Sequence, residues 1–404
     1  MPRHHAVRAV GRSVTAVSDA DTARKLVPVI EPRRAEIERG RRLPPDLVAR
    51  LAEAGLFKLC VPRAYGGGEI EPGALIETLE AVARVDGSTG WCVMIGATSG
   101  MVAAYLPDEE ARAIYGAPDV VTGGVFAPRG TATSVDGGFR MTGRWPFASG
   151  SQHCAWLMGG CLVRDADGVE GARGGSGDRE GGPDARLLLL PADDVEILDT
   201  WTVAGLCGTG SHDMVVNDAF VPASRAVSIV ADPPRQQGAL YAFPIFGLLA
   251  VGIAAVALGL GRAAIDELTD LAGAKVPTGS RRRLAQRGAV QADVARAEAR
   301  LRSGRAFLLD AVGAAWTSAS AGDAISLDER ALLRTAATHA TREAATAVDI
   351  AYDAGGGTSV YATSPLQRHF RDVHVVTQHV MVASATFELA GRVLLGIPTD
   401  TALL

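Results

Sequence analysis

The sequence predicts a segregated α+β fold: helices first, strands in the middle and a helical bundle last. Three observations carry that reading. Apolar residues recur at helical spacing on both sides of the chain, in roughly residues 1–118 and 231–404. Between them, 119–230 consists of short β-like runs closed by Gly, Pro and Asp. Lastly, Phe243 to Leu260 runs for 18 residues without a charge, as a helix buried on all sides would.

In the first region, "PPDLVARLAEAGLF" has apolar positions at Leu47, Leu51 and Leu56 with charges between, and Pro44-Pro45 mark the helix start. "ALIETLEAVARVDGSTGWCVMIGATSGMVAAYL" predicts two more helices, divided at Asp86-Gly87-Ser88, where Asp or Ser can cap the second. In the middle region, "GGFRMTGRWPF", "ARLLLLPADDVEIL" and "DMVVNDAFVP" predict strands. The Gly-rich, charged stretch at 165–185 has almost nothing to bury and predicts a mobile hairpin insertion. The last region holds long alanine-rich helices such as "ALLRTAATHATREAATAVDIAYDAGGG", which stops at glycine and suits an antiparallel bundle.

Composition narrows the function. At 404 residues the chain has room for two or three domains, and 48% hydrophobic with 21% charged residues excludes wholesale disorder. A net charge of −5 gives no basis for a nucleic-acid partner, although Arg281, Arg282, Arg283 and Arg287 cluster locally. The five scattered cysteines form no Cys-x-x-Cys and imply a reducing, cytoplasmic setting. The N-terminal stretch lacks the apolar core of a signal peptide, and the single uncharged run reads as bundle core, so no membrane span is expected.

Metal and nucleotide signatures are missing. His369, His374 and His379 are five residues apart, which on a helix points them in different directions, so no metal site is expected. There is no Gly-x-Gly-x-x-Gly opening a helix after a strand and no Gly-x-Ser-x-Gly elbow. What remains is a set of segments: "GRWPFASGSQHCAW" with an exposed-looking Ser149-Gly150 turn, "GLCGTGSHDMVVNDAFVP", and "LQRHFRDVHVVTQH" with an Arg-Asp pair near a helix start.

Taken in order with "FKLCVPRAYGG" and "DGSTGW", these segments resemble the acyl-CoA dehydrogenase superfamily from about residue 20 to the C-terminus. The resemblance implies an acyl-CoA dehydrogenase-like fold: an N-terminal helical domain, a middle β-barrel and a C-terminal four-helix bundle. It also implies flavin held between barrel and bundle, and a homotetramer. Dehydrogenases of the superfamily carry a glutamate base nine residues after the arginine of the Arg-Asp pair, or on the first long helix of the bundle. Here the first position is Val380, the second falls in the uncharged run, and nothing from Val373 to Phe387 is acidic. General-base removal of an α-proton lacks its residue.

The chain instead resembles the superfamily's two-component flavin-dependent monooxygenases. In these a separate reductase delivers reduced FMN or FAD, and O2 adds to it as a hydroperoxide that oxygenates a small organic substrate. The resemblance gives His379 and Ser149 the catalytic places, with His379 managing hydrogen bonds and protons in a dry pocket. It puts Ser149 at the flavin edge, Trp91 on the pocket wall, and Arg281, Arg282 or Arg283 on the flavin phosphate, from this subunit or its neighbour. "DAGGGTS" lacks the glutamine that helps dehydrogenases hold the adenine half of FAD, which favours FMN or loosely held reduced flavin. Ser99 stands where phenol hydroxylases of the branch carry a histidine, and Val125 where a polar residue is expected. With Phe126 and Phe243 they imply an apolar pocket for an uncharged aromatic or natural-product-like molecule, hydroxylated or N-oxidised. Two other readings stay open: an acyl-CoA dehydrogenase with bound FAD, and a non-catalytic flavin-binding paralogue.

Overall fold

The computed structural model describes residues 19–165 and 184–404. The insertion read at 165–185 lies outside them but for its ends, and so does most of the N-terminal stretch read for targeting. Numbering helices of seven residues or more, the N-terminal part holds α1 (Asp19–Lys25), α2 (Arg34–Gly40), α3 (Pro45–Glu53), α4 (Pro72–Val85), α5 (Gly87–Ser99) and α6 (Asp108–Tyr115). Proline opens α3 and α4, where its missing N–H costs nothing. Asp86 divides α4 from α5 as expected: its carboxylate accepts from the Thr89 amide and hydroxyl, both at 2.8 Å.

Seven strands follow: β1 (Thr122–Val135), β2 (Gly138–Ala148), β3 (Trp156–Arg164), β4 (Ala185–Pro191), β5 (Glu196–Leu198), β6 (His212–Pro222) and β7 (Ala226–Val227). Their order is β5-β6-β2-β1-β3-β4-β7, all antiparallel except the β1–β3 pair. The barrel expected from the resemblance is therefore an open sheet. Its edge strands are only three and two residues long, too short to supply the ladder that would close it. The sheet has its own core around fully buried Trp145, whose indole N–H donates to the Gly160 carbonyl at 2.7 Å.

The bundle comprises α7 (Ile245–Ala274), α8 (Gly288–Ala321), α9 (Leu327–Gly355), α10 (Pro365–Val376) and α11 (Ala385–Leu394). The uncharged run lies in α7, 89% of whose most apolar stretch is buried inside the protein, as a bundle-core helix requires. The Arg371-Asp372 pair, expected near a helix start, sits in the second half of α10. Nor does His379 share that helix with His369 and His374. The β-branched run Val375-Val376-Thr377 ends α10, and His379 becomes the N-cap of a 3-10 turn, Val380–Val382.

Candidate functional site

The loop from Ala204 to Ser211 is held from the bundle side. Asp372 Oδ1 accepts from the Leu206 amide at 2.6 Å, and Arg371 donates to the Ala204 carbonyl and, at 2.6 Å, to Glu38. A Cβ at Gly205 would lie 2.3 Å from the Arg371 carbonyl, so only glycine lets the loop pass this close to α10. Leu206 is itself left-handed (φ 49°), a conformation that costs a non-glycine residue on the order of 1–2 kcal/mol. Its neighbours clamp it there: Asp372 on its N–H, Trp201 and Thr209 on its carbonyl.

From that anchored loop a line of hydroxyls crosses to the end of β2. Thr209 Oγ1 lies 2.7 Å from Ser211 Oγ, and Ser211 Oγ lies 2.6 Å from Ser149 Oγ. The Trp91 indole N–H donates to Ser149 Oγ at 3.0 Å. The Ser149-Gly150 turn, expected to be exposed, is buried because Trp91 and Ser211 cover it. Gly150 adopts φ 70°, and a Cβ there would meet His153 Nε2 at 2.8 Å, so this turn also demands glycine. The exposed residue is Phe147: 67% accessible, left-handed at φ 67°, with its ring edge on Trp201 at 6.2 Å. A bulky residue held in that conformation beside buried hydroxyls is the kind of strain that collects at binding sites.

His379 completes the cluster. Its ring centroid lies 5.7 Å from that of Trp91, edge to face. The Met381 amide, which can only donate, points at His379 Nδ1 from 3.2 Å. In the neutral ring the proton therefore sits on Nε2, free to be donated. Burial, with the charge of Arg334 second, pushes the imidazole pKa down to about 4, so near neutral pH the ring is an uncharged donor. Arg334, buried in α9, grips the Met381 carbonyl at 3.0 Å and the Leu403 carbonyl, which fixes the turn carrying His379. Among the described residues, no carboxylate contacts Trp91, Ser149 or His379. Val380, at the place of the dehydrogenase base, is 69% exposed.

The tertiary structure thus brings Trp91, Ser149 and His379 together. Ser99 lies two turns further along α5, its carbonyl accepting from the Tyr115 hydroxyl at 3.3 Å. Val125 packs on the sheet's own core and Phe126 on the helical core, so strand alternation puts them on opposite faces and one wall cannot hold both. Phe243 is buried in the main core. The exposed Arg281, Arg282 and Arg283 adjoin Leu284, which packs on Ala272 at the far end of α7. Met94, one turn from Trp91, touches Gly252, so the helical rise separates the arginines from the cluster by about 30 Å within one chain. Arg334, Phe147, Thr209 and Ser211 escaped the sequence reading. Only the smallness of "GTGS" hinted at the last two. Among the described residues, no three His, Cys, Asp or Glu side chains gather as a metal site would.

Three histidines with depressed pKa values, His369 buried and His153 and His379 half-buried, make acid destabilising. Burial holds His153 and His379 near pKa 4 and His369 near 3, so each takes up a proton on unfolding as pH falls below the ordinary 6.5. Asp372 opposes them: burial raises its carboxyl to about 6, and its cost is relieved over the same interval. The balance is about two protons bound on unfolding, or roughly 2–3 kcal/mol lost per pH unit between pH 6 and 4. Urea denaturation at pH 7, 6 and 5 is expected to show falling stability, and a flat profile would contradict these burials.

The cluster suits a flat heteroaromatic ring bearing hydrogen-bonding nitrogens. It offers an exposed Phe147 ring, a buried hydroxyl with acceptor capacity to spare, a neutral imidazole N–H and a nearby buried guanidinium. Flavin is such a ring, and the comparisons with known proteins agree. Residues 20–116 match the family model described as acyl-CoA dehydrogenase, N-terminal domain, and 251–384 match the C-terminal domain. The chain is 37% identical over 366 residues to an indole-3-acetate monooxygenase of Pseudomonas putida, covering 90% of each protein. It is 29% identical to the flavin-dependent monooxygenase oxygenase subunit HsaA of Rhodococcus jostii, over 88% of this chain and 92% of that protein. Its fold superposes on XiaF of a Streptomyces species, solved with FADH2 and glycerol, with TM-score 0.86 and 28% identity over 94% and 95% of the two chains. With no acid at the cluster among the described residues, a neutral histidine beside Trp91 and these relatives along nearly the whole length, the chain belongs to the flavin-dependent monooxygenases, as an oxygenase component on the acyl-CoA dehydrogenase fold that works with reduced flavin and O2.

Proposed function

We propose that this oxygenase component hydroxylates a small uncharged aromatic molecule of indole type, in the site bounded by Trp91, Ser149 and His379. The observation that carries the proposal is the neutral, Nε2-protonated His379 beside Trp91 with no carboxylate in contact. The 37% identical indole-3-acetate monooxygenase supports the ring class. Reduced flavin, when bound, supplies the electrons that activate O2, so that one oxygen atom enters the substrate and the other leaves as water. The chain's own residues do the rest. Phe147 and Trp91 offer apolar surface and exclude water, Ser149 anchors the flavin edge, and His379 donates a hydrogen bond to developing negative charge without adding a full charge.

A separate reductase supplies the reduced flavin, as the "oxygenase subunit" name of the Rhodococcus relative implies for that protein. The FADH2 in the XiaF structure favours FAD, while the missing glutamine in "DAGGGTS" concerns how tightly the adenine half is held. We further propose a homotetramer. Val380, Leu394, Leu395 and Ile397 present apolar side chains on the C-terminal face, and a second subunit would bring Arg281 to Arg283 to a neighbour's flavin phosphate. Five free cysteines support a cytoplasmic location.

The test mixes the purified protein with chemically reduced FAD or FMN, O2 and a panel of indole, indole-3-acetate, phenol and resorcinol. Hydroxylated product with suppressed hydrogen peroxide is expected for uncharged indole, and less of it for the indole-3-acetate anion. Full conversion of the reducing equivalents to hydrogen peroxide with every ring would reject the proposal.

A further inference from the structure

The hydroxyls between Trp91 and Leu206 have only one way to share their protons. There are four contacts: Trp91 Nε1 to Ser149 Oγ at 3.0 Å, Ser149 to Ser211 at 2.6 Å, Ser211 to Thr209 at 2.7 Å, and Thr209 Oγ1 to the Leu206 carbonyl at 2.9 Å. Four protons are available, one on the indole and one on each hydroxyl. The two ends are chemically fixed, because an indole N–H only donates and a carbonyl only accepts. Thr209 must give its proton to Leu206, so Ser211 gives its own to Thr209, and Ser149 gives its own to Ser211. Any other assignment leaves two oxygens facing each other without a proton at hydrogen-bond distance, in a place where all three hydroxyls are buried.

Ser149 Oγ is consequently a committed donor toward Ser211 and an acceptor toward Trp91, with one lone pair left. Toward any ligand at the flavin edge it can accept and cannot donate. Reduced flavin carries N–H at its central ring nitrogen N5, whereas in oxidised flavin the same nitrogen is a bare acceptor. We infer that Thr209 and Ser211 are positioning residues that polarise Ser149, so that the site selects reduced over oxidised flavin. The inference rests on the flavin reading of the site and goes beyond it, since it assigns the choice of redox state to two residues that need not touch the cofactor. The line's far end is fixed by backbone and indole donors: the Trp201 indole N–H at 3.2 Å and the Thr209 amide at 3.1 Å hold the Leu206 carbonyl, so the acceptor that sets the direction cannot turn away.

The experiment measures binding rather than turnover. Affinities for oxidised and for chemically reduced FAD are determined anaerobically by ultrafiltration, for the unaltered protein and for Ser211→Ala, Thr209→Val and Thr209→Ser. The unaltered protein is expected to prefer reduced FAD. Ser211→Ala frees the Ser149 proton to turn outward, and Thr209→Val lets the line reverse. Each is expected to shrink the preference roughly fivefold to thirtyfold, mainly by tightening oxidised FAD. Thr209→Ser keeps the hydroxyl and is expected to keep the preference. For a two-electron couple a tenfold loss of preference also lowers the potential of the bound flavin by about 30 mV, an independent readout. If both Ser211→Ala and Thr209→Val fold with unchanged Tm and retain the preference, the polarity argument is overturned while flavin binding stands. Binding of both redox forms with equal affinity by the unaltered protein overturns it as well. If neither form binds, the flavin reading falls and takes this inference with it.

Discussion

His379→Ala is expected to divert most of the reducing equivalents to hydrogen peroxide, lowering product formed per flavin oxidised roughly tenfold to a hundredfold. The effect should be large because His379 alone presents its donor beside Trp91. Met381 N–H occupies Nδ1 at 3.2 Å, which leaves Nε2–H as the outward group, while Arg334 spends its two terminal nitrogens on backbone carbonyls and keeps its Nε buried without a partner. His379→Gln restores an N–H and should recover part of the coupling. Both variants should still bind reduced flavin, since Ser149 and Trp91 remain. The pH dependence separates a neutral histidine from a titrating one. With the pKa pushed down to about 4, the ring stays uncharged from pH 5.5 to 8, and coupling in the unaltered protein should be flat across that range. Peroxide and product assays over that range check both statements. Coupling unchanged in His379→Ala would remove the residue from the chemistry, and a step near pH 6.5 would show that the imidazole is not held neutral.

Arg368→Ala is expected to be the most destabilising single change, by about 3–5 kcal/mol, because it strands buried carboxylates. Arg368 Nη2 lies 2.6 Å from Asp86 Oδ2, Nη1 donates to the Arg34 carbonyl at 2.8 Å, and Nε stands 3.7 Å from Asp372. Asp86 and Asp372 are almost wholly buried. Burial already raises the Asp372 carboxyl to about 6 while Arg368 pulls it down, so losing the guanidinium raises it further. A carboxyl whose folded pKa exceeds its unfolded value weakens the fold at high pH, and the penalty fades as pH falls through the folded pKa. The deficit of Arg368→Ala relative to the unaltered protein should therefore be largest near pH 8 and smaller near pH 5. Paired urea titrations at the two pH values measure it. A loss below about 1 kcal/mol, or one independent of pH, would show that the pairs carry little energy. Function should suffer too: Asp86 caps α5, which carries Trp91, and Asp372 holds the loop that carries Thr209 and Ser211.

Much of this was legible in the chain. Periodicities of 3.6 and 2 are local properties, so the succession of helices, strands and helices can be read from side-chain spacing alone. So can the Asp86 cap, since a cap and its amide are three residues apart. The want of an acid from Val373 to Phe387 and the presence of His379 are simple facts of the sequence, and they separate a pocket that activates oxygen from one that removes a proton from carbon. Even the burial of α7 followed from its composition.

What the chain could not announce are the contacts between elements. Ser149 and Ser211 are 62 residues apart, Trp91 and Ser149 are 58 apart, and Leu206 meets Asp372 across 166. Nothing in an alanine-rich helix shows that Arg334 will be buried under the turn that carries His379. Nor does strand texture reveal whether a sheet closes, because that depends on the length of its edge strands, nor whether a basic run reaches a site about 30 Å away along a helix. The sequence by itself determined the elements, the family and the chemistry's missing acid, since these depend on residue type and short-range spacing. Docking of the loop, the sheet and the bundle decided the protonation state of His379 and the direction of the hydroxyl line, because both depend on which dipoles and charges meet once water is excluded.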